Sequence, residues 1–120
     1  HRYDQCGIMV RISENCWIKA GFENDESGNS GLMTTVCNGK YSDWSGSCMT
    51  ESGEFTVRII REVNNYTIEY LTKDNRWITS RMAHLEADNF GKTLKCGLFA
   101  CCPEDEGMSV SFDYMKVNRH

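Results

Sequence analysis

Proline occurs once in the 120 residues, at Pro103. It stands in a loop after Cys102, where a missing amide donor costs nothing. No window of about 11 residues carries a helical period, so helix-based architectures have no support. No apolar stretch approaches the roughly 18 residues of a membrane span. No segment joins a basic start to an apolar centre as a signal peptide does. Lysine and arginine form no basic run and the net charge is −4, which argues against nucleic acid as a partner. The spacing C-x-x-C is absent. None of the three histidines, His1, His84 and His120, stands near a cysteine pair, so the expectation is no metal and no cofactor.

What is present is alternation. In Cys6, Ile8, Val10, Ile12 every second residue is apolar, and the pattern returns in Cys16, Ile18, Ala20, Phe22. The opposite faces carry Gln5, Gly7, Met9, Arg11 and then Trp17, Lys19, Gly21, Glu23. One face reads as core and the other as a mixture of aromatic, amide and charge, the composition of a ligand groove on a sheet. Further strands are expected over Gly31 to Cys37, Tyr41 to Met49, Glu54 to Glu62, Tyr66 to Thr72, Arg76 to Met82, Leu94 to Cys101 and Ser109 to Val117. Turns are expected at Asn38-Gly39, Glu51-Ser52-Gly53, Val63-Asn64-Asn65 and Lys73-Asp74-Asn75, with an irregular stretch from His84 to Lys92. Nine short strands imply an all-β antiparallel β-sandwich or jelly roll, and this length implies one domain over residues 1–120.

Seven cysteines are many for such a chain: Cys6, Cys16, Cys37, Cys48, Cys96, Cys101 and Cys102. Their odd number and their apolar strand positions favour reduced, structural thiols in a cytoplasmic setting. The sequon Asn65-Tyr66-Thr67 is the counter-signal that keeps secretion open. In Cys101-Cys102, strand alternation predicts one core and one exposed thiol. The chain opens almost directly into a strand, so a processed or truncated product is also open.

Several blocks then resemble a known family. They are Tyr3-Asp4-Gln5-Cys6-Gly7-Ile8-Met9-Val10-Arg11, Asn15-Cys16-Trp17-Ile18-Lys19-Ala20-Gly21, Tyr41-Ser42-Asp43-Trp44-Ser45, Cys96-Gly97-Leu98-Phe99-Ala100-Cys101 and Gly107-Met108-Ser109-Val110-Ser111-Phe112-Asp113. In this order they are similar to the regulation-of-enolase-like family of uncharacterised domains. The resemblance implies a concanavalin-A-like sandwich and hardly any function. It also implies strands before the Tyr3 block, without which part of a sheet needs another segment or another chain. Fold analogy to lectins and glucanases points to carbohydrate by association alone.

The candidate ligand residues are Gln5, Arg11, Trp17, Lys19 and Glu23, with Tyr41 or Trp44 nearby. Sugars take an aromatic plane under their C–H face and amide or charged groups at their hydroxyls. Tyr41 and Asp43 share one face of their strand while Ser42 and Trp44 share the other, so the four do not line one site. Carboxylate catalysis has weak support: Glu23-Asn24-Asp25 begins an E-x-D-x-x-E pattern, but Gly28 stands where the last carboxylate belongs, and Glu104-Asp105-Glu106 reads as a loop. Asn24, Asp25, Glu26 and Asn29 are hard oxygen donors that fit no calcium-loop signature. No catalytic residue is assigned. The reading is a non-catalytic carbohydrate-binding module, with two alternatives: an interaction or assembly module completed by a partner strand as a homo- or hetero-oligomer, and a glycan-active enzyme.

Overall fold

The computed structural model describes residues 2–48, 54–86, 93–104 and 107–119. Eight strands run in chain order: β1 (Gln5–Ser13), β2 (Cys16–Asn24), β3 (Ser30–Asn38), β4 (Tyr41–Cys48), β5 (Val57–Glu62), β6 (Asn65–Leu71), β7 (Trp77–His84) and β8 (Lys95–Cys101). They form two antiparallel sheets, one in the order β4-β3-β2-β1-β8 and one in the order β5-β6-β7. The chain is an all-β sandwich, as the alternation implies.

Tight turns set the register. Asn38 pairs with Tyr41, so the β3–β4 loop is Gly39-Lys40, one residue later than the Asn-Gly cue suggests. Gly39 supplies the positive φ of 64° that the first turn position requires. The β5–β6 turn is Val63-Asn64, with Val63 at a φ of 62°. That conformation is strained for a β-branched residue.

Parity then decides what is buried. Val10, Cys16, Ile18, Ala20 and Val36 point inward from the larger sheet and meet Tyr66 and Ile68 of β6 and Leu85 beyond β7. Phe22 stacks on Phe55, ring centroids 4.9 Å apart, and ties β2 to the approach of β5. On the β3–β4 side the sheets are stapled by polar groups. Asn38 Nδ2 donates to the His84 carbonyl at 2.8 Å, and the Glu86 amide donates back to Asn38 Oδ1 at 3.0 Å. Arg81 Nη1 donates to Ser45 Oγ at 2.9 Å.

The opposite side is different. The smaller sheet ends at β5, whose outer edge pairs with no other strand among the described residues. Beyond it the inward face of β8 is uncovered, and Leu98 is 42% exposed there. An open cleft of about 1530 Å³ results, lined by Ile8, Val10, Val57, Ile59, Leu94 and Leu98 together with the segment 107–119. That segment corrects one expectation: Ser109 to Val117 forms no strand. Alternation supplies a strand-like sequence, but a strand exists only where a neighbour accepts its hydrogen bonds. His84 closes β7, whereas the rest of the expected irregular stretch beyond Glu86, and the turn expected at Glu51-Ser52-Gly53, lie outside the described residues.

Six described cysteines, Cys6, Cys16, Cys37, Cys96, Cys101 and Cys102, are free thiols. Burial pushes the Cys6 thiol up from its ordinary range, which keeps it protonated and unreactive. Cys101 is exposed and Cys102 half-buried, so neither is the core thiol that alternation predicts. Cys102 lies one residue past β8, where strand parity no longer applies.

Candidate ligand-binding face

The outward face of the larger sheet collects most of the expected residues. Register places Gln5 opposite Glu23, Met9 opposite Lys19 and Arg11 opposite Trp17 across β1 and β2. It extends through Thr35 of β3 to Trp44 of β4, and on the other side from Gly7 to Phe99 and from Arg11 to Lys95 on β8. Gln5, Arg11, Trp17, Lys19, Glu23 and Trp44 therefore share one face. Tyr41 does not join them: it stands on the opposite parity beside Asn38 and is 78% exposed at the sheet edge.

Two linked clusters occupy this face. In the first, the Lys19 ammonium donates to Gln5 Oε1 at 2.7 Å and lies 5.9 Å from the Trp17 ring centroid and 5.6 Å from that of Phe99. Lys19 reaches across β1 because Gly7, the partner of Phe99, places no side chain in its path. The backbones there are close enough that a Cβ on Gly21 would overlap the Cys6 carbonyl oxygen and stand 2.6 Å from Gly7 Cα. Cation–π contact of this kind contributes about 0.5–1 kcal/mol at exposed sites. Trp17 also donates its indole N–H to the Glu14 carbonyl at 3.2 Å, which fixes the ring over the end of the β1–β2 hairpin.

The second cluster is built on Trp44. Its indole N–H donates to Glu23 Oε2 at 3.3 Å, two strands away. The six-membered end of the ring leans against Gly46, so that a Cβ there would stand 2.6 Å from Trp44 Cζ2. Between these two anchors the indole crosses the row of Met33, which is 2% exposed although it lies on the outward face. Trp44 itself is 60% exposed. One side of the ring is thus supported by the sheet while much of its surface faces solvent.

The neighbouring loop is occupied with its own structure. Asp25 Oδ1 accepts from the amides of Ser27 and Asn29, both at 2.8 Å. The Asn29 amide is the main cause holding the Asp25 carboxyl below its usual range. Asn24 Oδ1 accepts from the Ser30 hydroxyl at 2.7 Å, and Glu26 Oε1 accepts from the Tyr3 hydroxyl at 2.6 Å. Asp25 is thus engaged by its own turn, Asn24 by Ser30 and Glu26 by Tyr3, while Asn29 Nδ2 donates to Asp25 Oδ2 at 3.2 Å. Glu104 pairs with Arg2; Asp105 and Glu106 lie outside the described residues.

Three contributors escape sequence reasoning: Phe99, Lys95 and Gly46. The alternation of Lys95, Gly97, Phe99 against Cys96, Leu98, Ala100 is visible in β8. Nothing local says that β8 pairs with β1. Gly46 carries no sequence signal as the seat of Trp44, beyond being a glycine two residues along the same strand.

The profile of a protein of unknown function, DUF1349, matches residues 1–120. Regulation of enolase protein 1 of Saccharomyces cerevisiae is 34% identical over 111 residues, covering 92% of this chain and 54% of that protein. The crystal structure of a functionally unknown protein from Saccharomyces cerevisiae aligns with a TM-score of 0.70 at 33% identity, over 87% of this chain and 54% of that one. The chain therefore spans about half the length of the relatives it matches. A profile match over the whole chain and a relative at this level of identity lead to one conclusion: the chain belongs to the DUF1349 family.

Proposed function

We propose that this chain is a non-catalytic binding module that holds carbohydrate on the outward face of its larger sheet. The observation that carries this reading is Trp44, seated against Gly46, oriented by Glu23 and 60% exposed. An indole held from beneath and open above is a stacking plane for the C–H face of a sugar. Glu23, Gln5 and Lys19 stand beside it as acceptors and donors for hydroxyl groups. Among the described residues of this face Glu23 is the single carboxylate. Glycoside hydrolysis by the usual route uses two, which favours binding over the glycan-active-enzyme reading. The free thiols suit a reducing, cytoplasmic setting.

The test is retention on a glycan array, with Trp44→Ala as the control. Binding by the wild type, lost in Trp44→Ala at an unchanged melting temperature, supports the reading. A folded wild type retained by no glycan overturns it.

A second reading rests on the unpaired edge of β5 and the uncovered inward face of β8. An extended segment from a second chain would hydrogen-bond to that edge and bury the open cleft. Light scattering checks it: a stable dimer or hetero-complex supports assembly, and a monomer at all concentrations argues against it.

A further inference from the structure

The outward face carries a charge arrangement that a neutral ligand does not explain. Arg11 and Lys95 are direct register partners on β1 and β8. Like charges in that position repel. Lys19 stands diagonally from Arg11, opposite Met9 on the neighbouring strand. Three cations therefore occupy adjacent positions on three neighbouring strands of an acidic chain of net charge −4. Among the described residues no carboxylate lies within ion-pair distance of any of them. Arg11 and Lys95 have no side-chain hydrogen bond there either, and Lys19 is bonded to the neutral amide of Gln5. The carboxylates nearest along the same strands are Glu14 in the β1–β2 turn and Glu23 at the far end of β2, which is engaged by Trp44. Trp17 and Phe99 flank the cations.

From this arrangement we infer that the ligand is an acidic oligosaccharide whose carboxylates are held by Arg11, Lys95 and Lys19 while its sugar rings lie on the aromatic planes. The inference rests on the carbohydrate reading above and narrows its substrate class. Arginine takes a carboxylate through a planar fork of two N–H groups, and the two lysines act as point charges beside it. The extent of the face fits an oligomer. Phe99 on β8 and Trp44 on β4 are four strand spacings apart, roughly 19 Å at about 4.8 Å per strand. A single sugar does not bridge that distance. A nucleic acid would bring one charge per nucleotide along its whole length against a cluster of only three cations, a poor match for a polyphosphate.

The experiment titrates the whole chain with uronate oligosaccharides of several linkages, each beside its own methyl ester, and with a thymidine oligonucleotide. Esterification removes the charge at the cost of one added methyl group. The expected result is that an acidic oligosaccharide binds about tenfold more tightly than its ester, the increment of one charge-assisted hydrogen bond. That preference should shrink between low and high salt. In Arg11→Gln/Lys95→Gln the acid-to-ester ratio falls to about one. The melting temperature of Lys95→Gln alone should not fall, because the substitution removes a repulsion and buries nothing. Equal affinity for acid and ester overturns the inference and leaves the carbohydrate reading standing. Binding of the oligonucleotide in preference to every glycan overturns both, as does a folded chain that binds no glycan.

Discussion

Gly46→Ala separates binding from stability at the site. The new Cβ would stand 2.6 Å from Trp44 Cζ2, whereas carbon atoms settle at about 3.5–4.0 Å. The ring must therefore move by roughly 1 Å or more, and it is free to do so, because it is the far end of an exposed side chain. Such a swing breaks the 3.3 Å bond from Trp44 Nε1 to Glu23, at a cost of about 1 kcal/mol. Replacing glycine by alanine in a strand returns about 0.5–1 kcal/mol through the unfolded chain. The net change in stability is thus within about 1 kcal/mol, measured by urea denaturation. Binding should respond differently. Losing a positioned aromatic plane forfeits about 0.5–1.5 kcal/mol beyond area, a weakening of roughly two- to tenfold. Calorimetry with a glycan that the wild type binds reads the affinity, and the indole N–H resonance of Trp44 reads the ring. Unchanged affinity with an unmoved resonance refutes the seating argument. A stability loss above about 2 kcal/mol refutes the claim that the ring yields.

Gly21→Ala should behave oppositely, because the overlapping atoms are backbone of Cys6 and Gly7 and cannot swing aside. A loss of about 3 kcal/mol or more is expected by chemical denaturation, or failure to fold. Val63→Gly should raise stability by about 1–2 kcal/mol, because Val63 holds a φ of 62° in an exposed turn; a thermal melt shows the increase, and a lower midpoint refutes the strain. Asn38→Ala should cost about 2 kcal/mol, one increment for each of its two inter-sheet bonds. Asn38→Asp, which keeps the acceptor for Glu86 and loses the donor to His84, should recover part of that loss.

Alternation alone makes the two faces of β1 and β2 legible in the sequence. Each strand repeats every two residues, and Val10, Ile18 and Ala20 fall inside while Trp17 and Lys19 fall outside, as the pattern requires. The same local logic separated Tyr41 from Trp44. It failed at Ser109 to Val117 because a period of two is necessary for a strand and does not supply a partner. It misplaced the β3–β4 turn by one residue because both Asn38-Gly39 and Gly39-Lys40 satisfy the turn chemistry.

From the sequence by itself came the all-β class, the core face, most of the turns and five of the polar-face residues, Gln5, Arg11, Trp17, Lys19 and Glu23, since these depend on neighbours within a few positions. Tertiary structure alone decided which strands lie side by side. Pairing of β8 with β1 brings Lys95 and Phe99 to Arg11 and Lys19 across more than half the chain, and the β2–β3–β4 ladder carries Trp44 to Glu23. The physical reason is that side-chain parity is written into each strand locally, whereas strand order depends on which distant edges bury the most apolar surface and satisfy the most hydrogen bonds.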